Sequence, residues 1–201
     1  MALNKFVKVR HVTNLSEARY CAGMMVDMLG FAVNTGSPYY VDPKAFKEIT
    51  DWVAGVSFVA ECGDMSLSEV IEVTTAYNLK YAEVTTIPNL KPLHEAGMQL
   101  IWRCDVDASF DPKTLARQLA EVGRYVAYIV ISAPSGTDIG TLEQAVSPSQ
   151  IQLIKAFDIS PTNVSDLGPA WHGIELAGGT EERPGYADYD MMDVLEALDE
   201  D

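Results

Sequence analysis

Eight short apolar runs recur along the chain, with helix-like segments between them. The runs are Phe6–Arg10, Met28–Val33, Val56–Glu61, Tyr81–Thr85, Gln99–Cys104, Ala127–Ser132, Gln152–Phe157 and Trp171–Leu176. Strand-like runs alternating with helical patterns predict parallel βαβ units. Eight such units predict a compact (β/α)8 barrel, the TIM-barrel form of the α/β class, rather than an open sheet. With 201 residues the chain has enough length for one core. Residues 1–201 are read as a single domain.

The segments between the runs carry helix-start signals. Asn14, Asp42, Ser66, Asp111 and Ser160 are N-cap candidates, and Pro43, Pro112 and Pro161 suit a first helical position. Gly55, Gly97 and Gly123 read as glycines just past helix ends. The weakest unit lies between the sixth and seventh runs, where "APSGTDIGTLEQAVSPSQ" leaves room for barely two helical turns.

In a (β/α)8 barrel the chemistry sits at the carboxyl ends of the strands. Arg10, His11, Glu61, Cys62, Glu83, Thr85, Arg103, Cys104, Asp105, Ser132, Lys155, Asp158 and Glu175 all fall at or near those ends. A polar pocket accounts for such a set, because unpaired burial costs several kcal/mol per group. Glu83 and Glu175 could form an acid/base pair. They could equally neutralise Lys8, Arg10, Arg103 and Lys155 in a buried ionic network, and that reading is preferred. Arg10 is then a structural or ligand-binding cation. His11 could act as a base, since imidazole titrates near neutrality. Strand alternation turns it away from the pocket if Arg10 points inward. Cys104 beside Arg103 reads either as an activated thiol or as a small buried apolar residue.

The formal net charge is −15, which disfavours nucleic acid as a partner. No run approaches the ~18–20 apolar residues of a membrane span. The N-terminus lacks a signal-peptide pattern, so a cytoplasmic location is expected. The tail "DYDMMDVLEALDED" reads as an amphipathic helix with Met191, Met192, Val194, Leu195 and Leu198 on one side. Three scattered cysteines and three distant histidines suggest neither a disulfide framework nor a metal site. No metal and no cofactor is expected.

Two segments carry a resemblance that spans the chain. "KVRHVTNLSEARYCAGMMVDMLGF", at 8–31, follows without a gap a frame that begins Lys-Ile-Cys-Gly-Ile-Thr-Asn and ends Leu-Gly-Phe. "GIELAGGTEERPGYAD", at 173–188, follows Gly-Val-Asp-x-Ser-Ser-Gly-Val-Glu-x-x-Pro-Gly-x-Lys-Asp. "SPYYVDP" at 37–43 and "ISPTNV" at 159–164 fit between them. In these features the chain resembles the phosphoribosylanthranilate isomerase family of tryptophan biosynthesis. That resemblance implies a (β/α)8 barrel acting on a phosphorylated aminoaldose by an Amadori rearrangement.

The same resemblance shows what has changed. The family's general base is a cysteine, and Arg10 stands there, followed by His11 in place of glycine. Ser132 stands at the general acid. Tyr39 stands at the arginine that holds the substrate carboxylate. The strand-four motif becomes Glu83-Val84-Thr85-Thr86, and a phosphate-binding glycine pair becomes Phe157-Asp158. Glu175 and the run Gly178, Gly179, Thr180 keep the strand-eight side. The rearrangement needs an acid to open the ring and a base to take the C2 proton. Arginine stays protonated and cannot be that base. A serine hydroxyl is too weak an acid to replace a carboxylic acid.

The expectation is a diverged barrel without standard isomerase activity. It binds or converts a small anionic or phosphorylated metabolite at the carboxyl mouth. Arg10, Ser132, His11 and Glu83 stand at catalytic positions, and Tyr39, Glu175, Gly178, Gly179 and Thr180 at ligand-binding positions. Two alternatives are a working isomerase with substituted residues and a non-catalytic interaction or regulatory barrel. The oligomeric expectation is a monomer or a homodimer.

Overall fold

The computed structural model describes residues 3–147, 151–178 and 189–199. The strands are β1 Phe6–Arg10, β2 Met28–Ala32, β3 Ser57–Gly63, β4 Tyr81–Val84, β5 Gln99–Asp105, β6 Tyr128–Ser132, β7 Gln152–Lys155 and β8 Gly173–Ala177. All eight pair in parallel and in chain order, and β8 closes back onto β1. The helices are α1 Leu15–Gly23, α2 Pro43–Thr50, α3 Leu67–Ala76, α4 Ile87–Glu95, α5 Pro112–Val122, α6 Ile139–Val146 and α7 Tyr189–Leu198. Among the described residues no helix is long and apolar enough to cross a membrane.

Local chemistry sets the helix starts. Asn14 accepts from the Glu17 amide, Asp42 from Lys44 and Ala45, and Asp111 from Thr114. Ser66 and Glu69 form a reciprocal capping box. The expected helix after β7 is not formed. Residues 161–165 are turns instead, and Ser160 and Asn163 bond to each other's chain rather than opening a helix. Between residues 158 and 170 only Val164 and Leu167 are buried, too little apolar surface to hold a helix against the barrel. Gly123 differs from expectation too. Its φ is −56°, so it does not need left-handed freedom. A Cβ there would lie 2.1 Å from Ile151 Cδ1 and 3.2 Å from the Leu119 carbonyl oxygen, so the Ile151 side chain would have to move aside.

Register divides each strand into two faces. One face, with Val7, Val9, Leu29, Phe31, Ala60, Ala82, Ile129, Leu153 and Ile174, packs against the helices. The other face points into the barrel. Met28, Val59, Ile101, Val130 and Ile154 form an apolar interior there, with Phe6, Tyr81 and Tyr128 against it. One step nearer the carboxyl ends, the inward positions are Lys8, Glu61, Glu83, Arg103 and Glu175, all buried. The fold therefore carries a charged layer inside its barrel. In α7, Met191, Val194, Leu195 and Leu198 are buried and Met192 is half-buried, so the tail helix packs its apolar side as expected.

Candidate functional site at the carboxyl mouth

The charged layer is organised around Lys8. Its Nζ lies 3.0 Å from Glu61 Oε1, 2.8 Å from Glu83 Oε2 and 2.5 Å from Glu175 Oε2. Arg103 Nη1 lies 2.6 Å from Glu175 Oε1 and 3.5 Å from Glu83 Oε1, and its Nε donates to Asp105 Oδ1 at 3.1 Å. The three glutamates are close enough together to hold a cation, and the Lys8 ammonium is the cation they hold. A charge taken out of water costs several kcal/mol unless it is well paired, and this geometry supplies the partners.

The electrostatics follow from burial and pairing. Burial opposes the charge on Lys8, but Glu175, Glu83 and Glu61 outweigh it and raise its pKa. Burial also opposes ionisation of Glu175, yet Lys8 and Arg103 hold it down at about 2. Glu83 goes the other way. Burial raises it, and the nearby Glu175 and Glu61 charges add to that against Lys8 and Arg103. Its Oε2 has no hydrogen bond despite its closeness to Lys8.

Lys155 stands outside this network, contrary to expectation. It pairs in register with Ile131 and Ile174 and so shares their outward face. Its Nζ lies 4.9 Å from the Phe157 ring centroid. Phe157 also faces outward, edge-on to Trp171 at 5.6 Å. It is buried there and puts no bulk into the mouth. Asp158 is exposed and takes a left-handed φ of 46°.

His11 breaks the alternation expected of it. Its φ of 59° lies in the left-handed region, which costs a non-glycine residue about 1–2 kcal/mol. This turn lets both Arg10 and His11 face the mouth. The His11 amide donates to Glu61 Oε2 at 3.2 Å, and its ring stacks on Tyr39 with centroids 4.1 Å apart. Arg10 Nη2 lies 2.8 Å from His11 Nε2. A guanidinium can only donate, so His11 Nε2 is the acceptor and the ring is neutral. Burial, then the Arg10 charge, lowers its pKa to about 4. The lone pair a base would use already accepts a hydrogen bond.

Arg10 itself is the underused cation. Its side chain is 26% exposed, and its nearest carboxylate contact is Glu175 Oε1 at 3.9 Å. Among the described residues its guanidinium makes one hydrogen bond, the one to His11, and its buried Nε has none. Ser132 ends β6 at the same end of the barrel, beside Asp105 in register. Gly178 follows β8 and donates its amide to the Arg10 carbonyl at 2.7 Å. That amide is therefore engaged by the backbone. Gly179 and Thr180 lie outside the described residues. Cys104 is buried, and burial pushes its thiol up to about 12, so it reads as an apolar residue rather than a nucleophile.

The structure thus brings together Arg10, His11, Tyr39, Glu83 and Glu175. Glu61 joins the Lys8 cluster as a carboxylate beyond the expected Glu83 and Glu175. The signal for it was Lys8 in an otherwise apolar strand, which requires carboxylates on neighbouring strands.

No protein-family model matches the chain, and no curated protein matches it in sequence. Solved structures do match. N-(5'-phosphoribosyl)anthranilate isomerase from Pyrococcus furiosus has a TM-score of 0.76 at 18% identity, over 97% of this chain and 98% of that one. Monomers of the dimeric phosphoribosylanthranilate isomerase from Thermotoga maritima reach 0.74 at 17% identity, over 98% of each chain. The chain shares the phosphoribosylanthranilate isomerase fold. A 3-hexulose-6-phosphate synthase is also similar, with a TM-score of 0.66 at 14% identity, over 97% of this chain and 100% of that one.

Proposed function

We propose that this phosphoribosylanthranilate isomerase-like barrel binds or converts a small anionic metabolite at its carboxyl mouth and does not run the standard isomerisation. The observation that carries the reading is the contrast between its cations. Lys8 and Arg103 are committed to the internal carboxylates, whereas Arg10 is partly exposed and has unused donors. A guanidinium with free N–H groups is suited to an oxyanion.

The loss of isomerase chemistry rests on which groups could move a proton. Arg10 and Ser132 stand where the family resemblance puts base and acid, and neither residue type can take over those roles. The nearest replacements are engaged elsewhere. His11 accepts from Arg10, and Glu83 and Glu175 lie in the Lys8 network. Tyr39 stacks on His11 at the matched position for the carboxylate-binding arginine, which leaves Arg10 to hold an anion.

A fluorescence assay following consumption of phosphoribosylanthranilate tests the second half of this reading. No turnover above background is expected. Turnover on the order of 1 s⁻¹, typical of enzymes, or growth of an isomerase-deficient tryptophan auxotroph on this chain, would establish a working isomerase instead. Anion titration against the unaltered protein and Arg10→Met tests the first half. Absence of any Arg10-dependent binding would favour an interaction or regulatory barrel.

A further inference from the structure

We infer that His11 is a positioning residue for the anion site: as a neutral acceptor it holds the Arg10 guanidinium in the mouth and away from Glu175. The inference rests on the proposed function above and adds what keeps its cation available.

Arg10 has two acceptors within reach. Its Nη2 lies 2.8 Å from His11 Nε2, and its Nη1 lies 3.9 Å from Glu175 Oε1. By charge alone Glu175 is the stronger attractor. Burial opposes its ionisation, but Lys8 and Arg103 keep it charged, and Oε1 already accepts from Arg103 Nη1 at 2.6 Å. A carboxylate oxygen accepts more than one hydrogen bond. An Arg10 drawn onto that oxygen would be neutralised inside the network, as Arg103 is. The imidazole changes the balance. Burial and then the Arg10 charge keep its pKa at about 4, so the ring is uncharged at pH 7. It gives the guanidinium a short hydrogen bond without giving it a counter-charge. The charge of Arg10 therefore remains for a ligand.

The imidazole is itself fixed by partners distant in the chain. The His11 amide donates to Glu61 Oε2 at 3.2 Å, and Glu61 Oε1 is tied to Lys8 at 3.0 Å. The ring lies on Tyr39 with the two planes 13° apart. Tyr39 belongs to residues 33–42, a strap between β2 and α2. The Val41 amide pins this strap to the Ala32 carbonyl at 3.0 Å. The Tyr77 hydroxyl pins it again, donating to the Val41 carbonyl at 2.6 Å. Within the strap the Tyr39 amide donates to Ser37 Oγ at 3.1 Å. Together these contacts support the left-handed backbone of His11, a strain that persists where the surroundings over-determine it.

Nitrogen-15 NMR of the unaltered chain at pH 7 tests the clamp. His11 Nε2 should be unprotonated, with the ring proton on Nδ1. A proton on Nε2 would overturn the inference, because that nitrogen could not then accept from Arg10. The Arg10 Nε resonance should move in His11→Phe, which keeps a ring for Tyr39 but loses the acceptor. It should return toward its parent position in His11→Gln, whose amide oxygen accepts. Calorimetric titration with benzoate and with inorganic phosphate gives the second readout, counting only binding that Arg10→Met abolishes. His11→Phe should weaken that binding by about tenfold, the size of one lost hydrogen bond to a charged group, and His11→Gln should restore most of it. Equal affinities in the two His11 variants, or an unmoved Arg10 Nε signal in His11→Phe, would overturn the inference and leave the proposed function standing. If neither probe binds the unaltered chain, the anion site is rejected and its positioning residue with it. Should His11→Phe fail to fold, the His11 tautomer in the unaltered chain decides.

Discussion

Lys8 Nζ and Glu175 Oε2 lie 2.5 Å apart across the seam where β1 closes onto β8. The two residues are register partners, so the contact exists only when the barrel is shut. It joins the first strand to the last inside a buried layer.

Removing Lys8 leaves Glu61, Glu83 and Glu175 facing one another without their central cation. Breaking a buried pair this way costs about 3–5 kcal/mol. Lys8→Met should lower the unfolding free energy by that amount at pH 7. Adding Glu175→Met should recover part of the loss, because it removes one uncompensated charge. Urea unfolding of the two variants measures both effects, and a Lys8→Met protein as stable as the parent would show that the network adds nothing.

Gly30 on β2 makes room for the network. A Cβ at that position would lie 2.1 Å from Glu61 Oε1 and 2.7 Å from its carboxyl carbon. Gly30→Ala must therefore push the Glu61 carboxylate off Lys8 and off the His11 amide. Overpacking of this kind costs about 1–3 kcal/mol. The expected result is a lower melting temperature, with the His11 ring resonances displaced because their anchor has moved.

The neutral His11 ring makes stability depend on pH. Its folded pKa of about 4 lies below the ordinary value of 6.5. Between those values the unfolded chain takes up a proton that the folded chain refuses. Stability from this group is complete above about pH 6.5 and is lost as pH falls toward 4. His11→Gln should flatten this slope. The parent should lose about 2 kcal/mol more than the variant between pH 7 and pH 4.5, as read from denaturant titrations at the two pH values. Parallel losses in the two proteins would contradict the assignment of a neutral His11.

The sequence by itself determined the eight-fold alternation. Strand positions followed from apolar runs, and four N-caps followed from Asn14, Asp42, Ser66 and Asp111, because these signals are local. The helix after β7 failed despite its Ser160 and Pro161 start. A cap can begin a helix, but only an apolar face packed on the barrel keeps it. Lys8 within "FVKVR" announced that carboxylates must lie nearby, yet strand periodicity does not say which ones. Closure chose Glu61, Glu83 and Glu175, from strands far apart in the chain, and it left Lys155 out by placing it on the opposite face of β7. The mouth was decided by tertiary structure for a different reason. One left-handed residue at His11 cancelled the alternation that sequence reasoning had to assume, and so put the His11 imidazole beside Arg10 and against Tyr39. Backbone handedness at a single non-glycine position leaves no mark in a sequence pattern, because the partners Glu61 and Tyr39 that meet His11 there are distant in the chain.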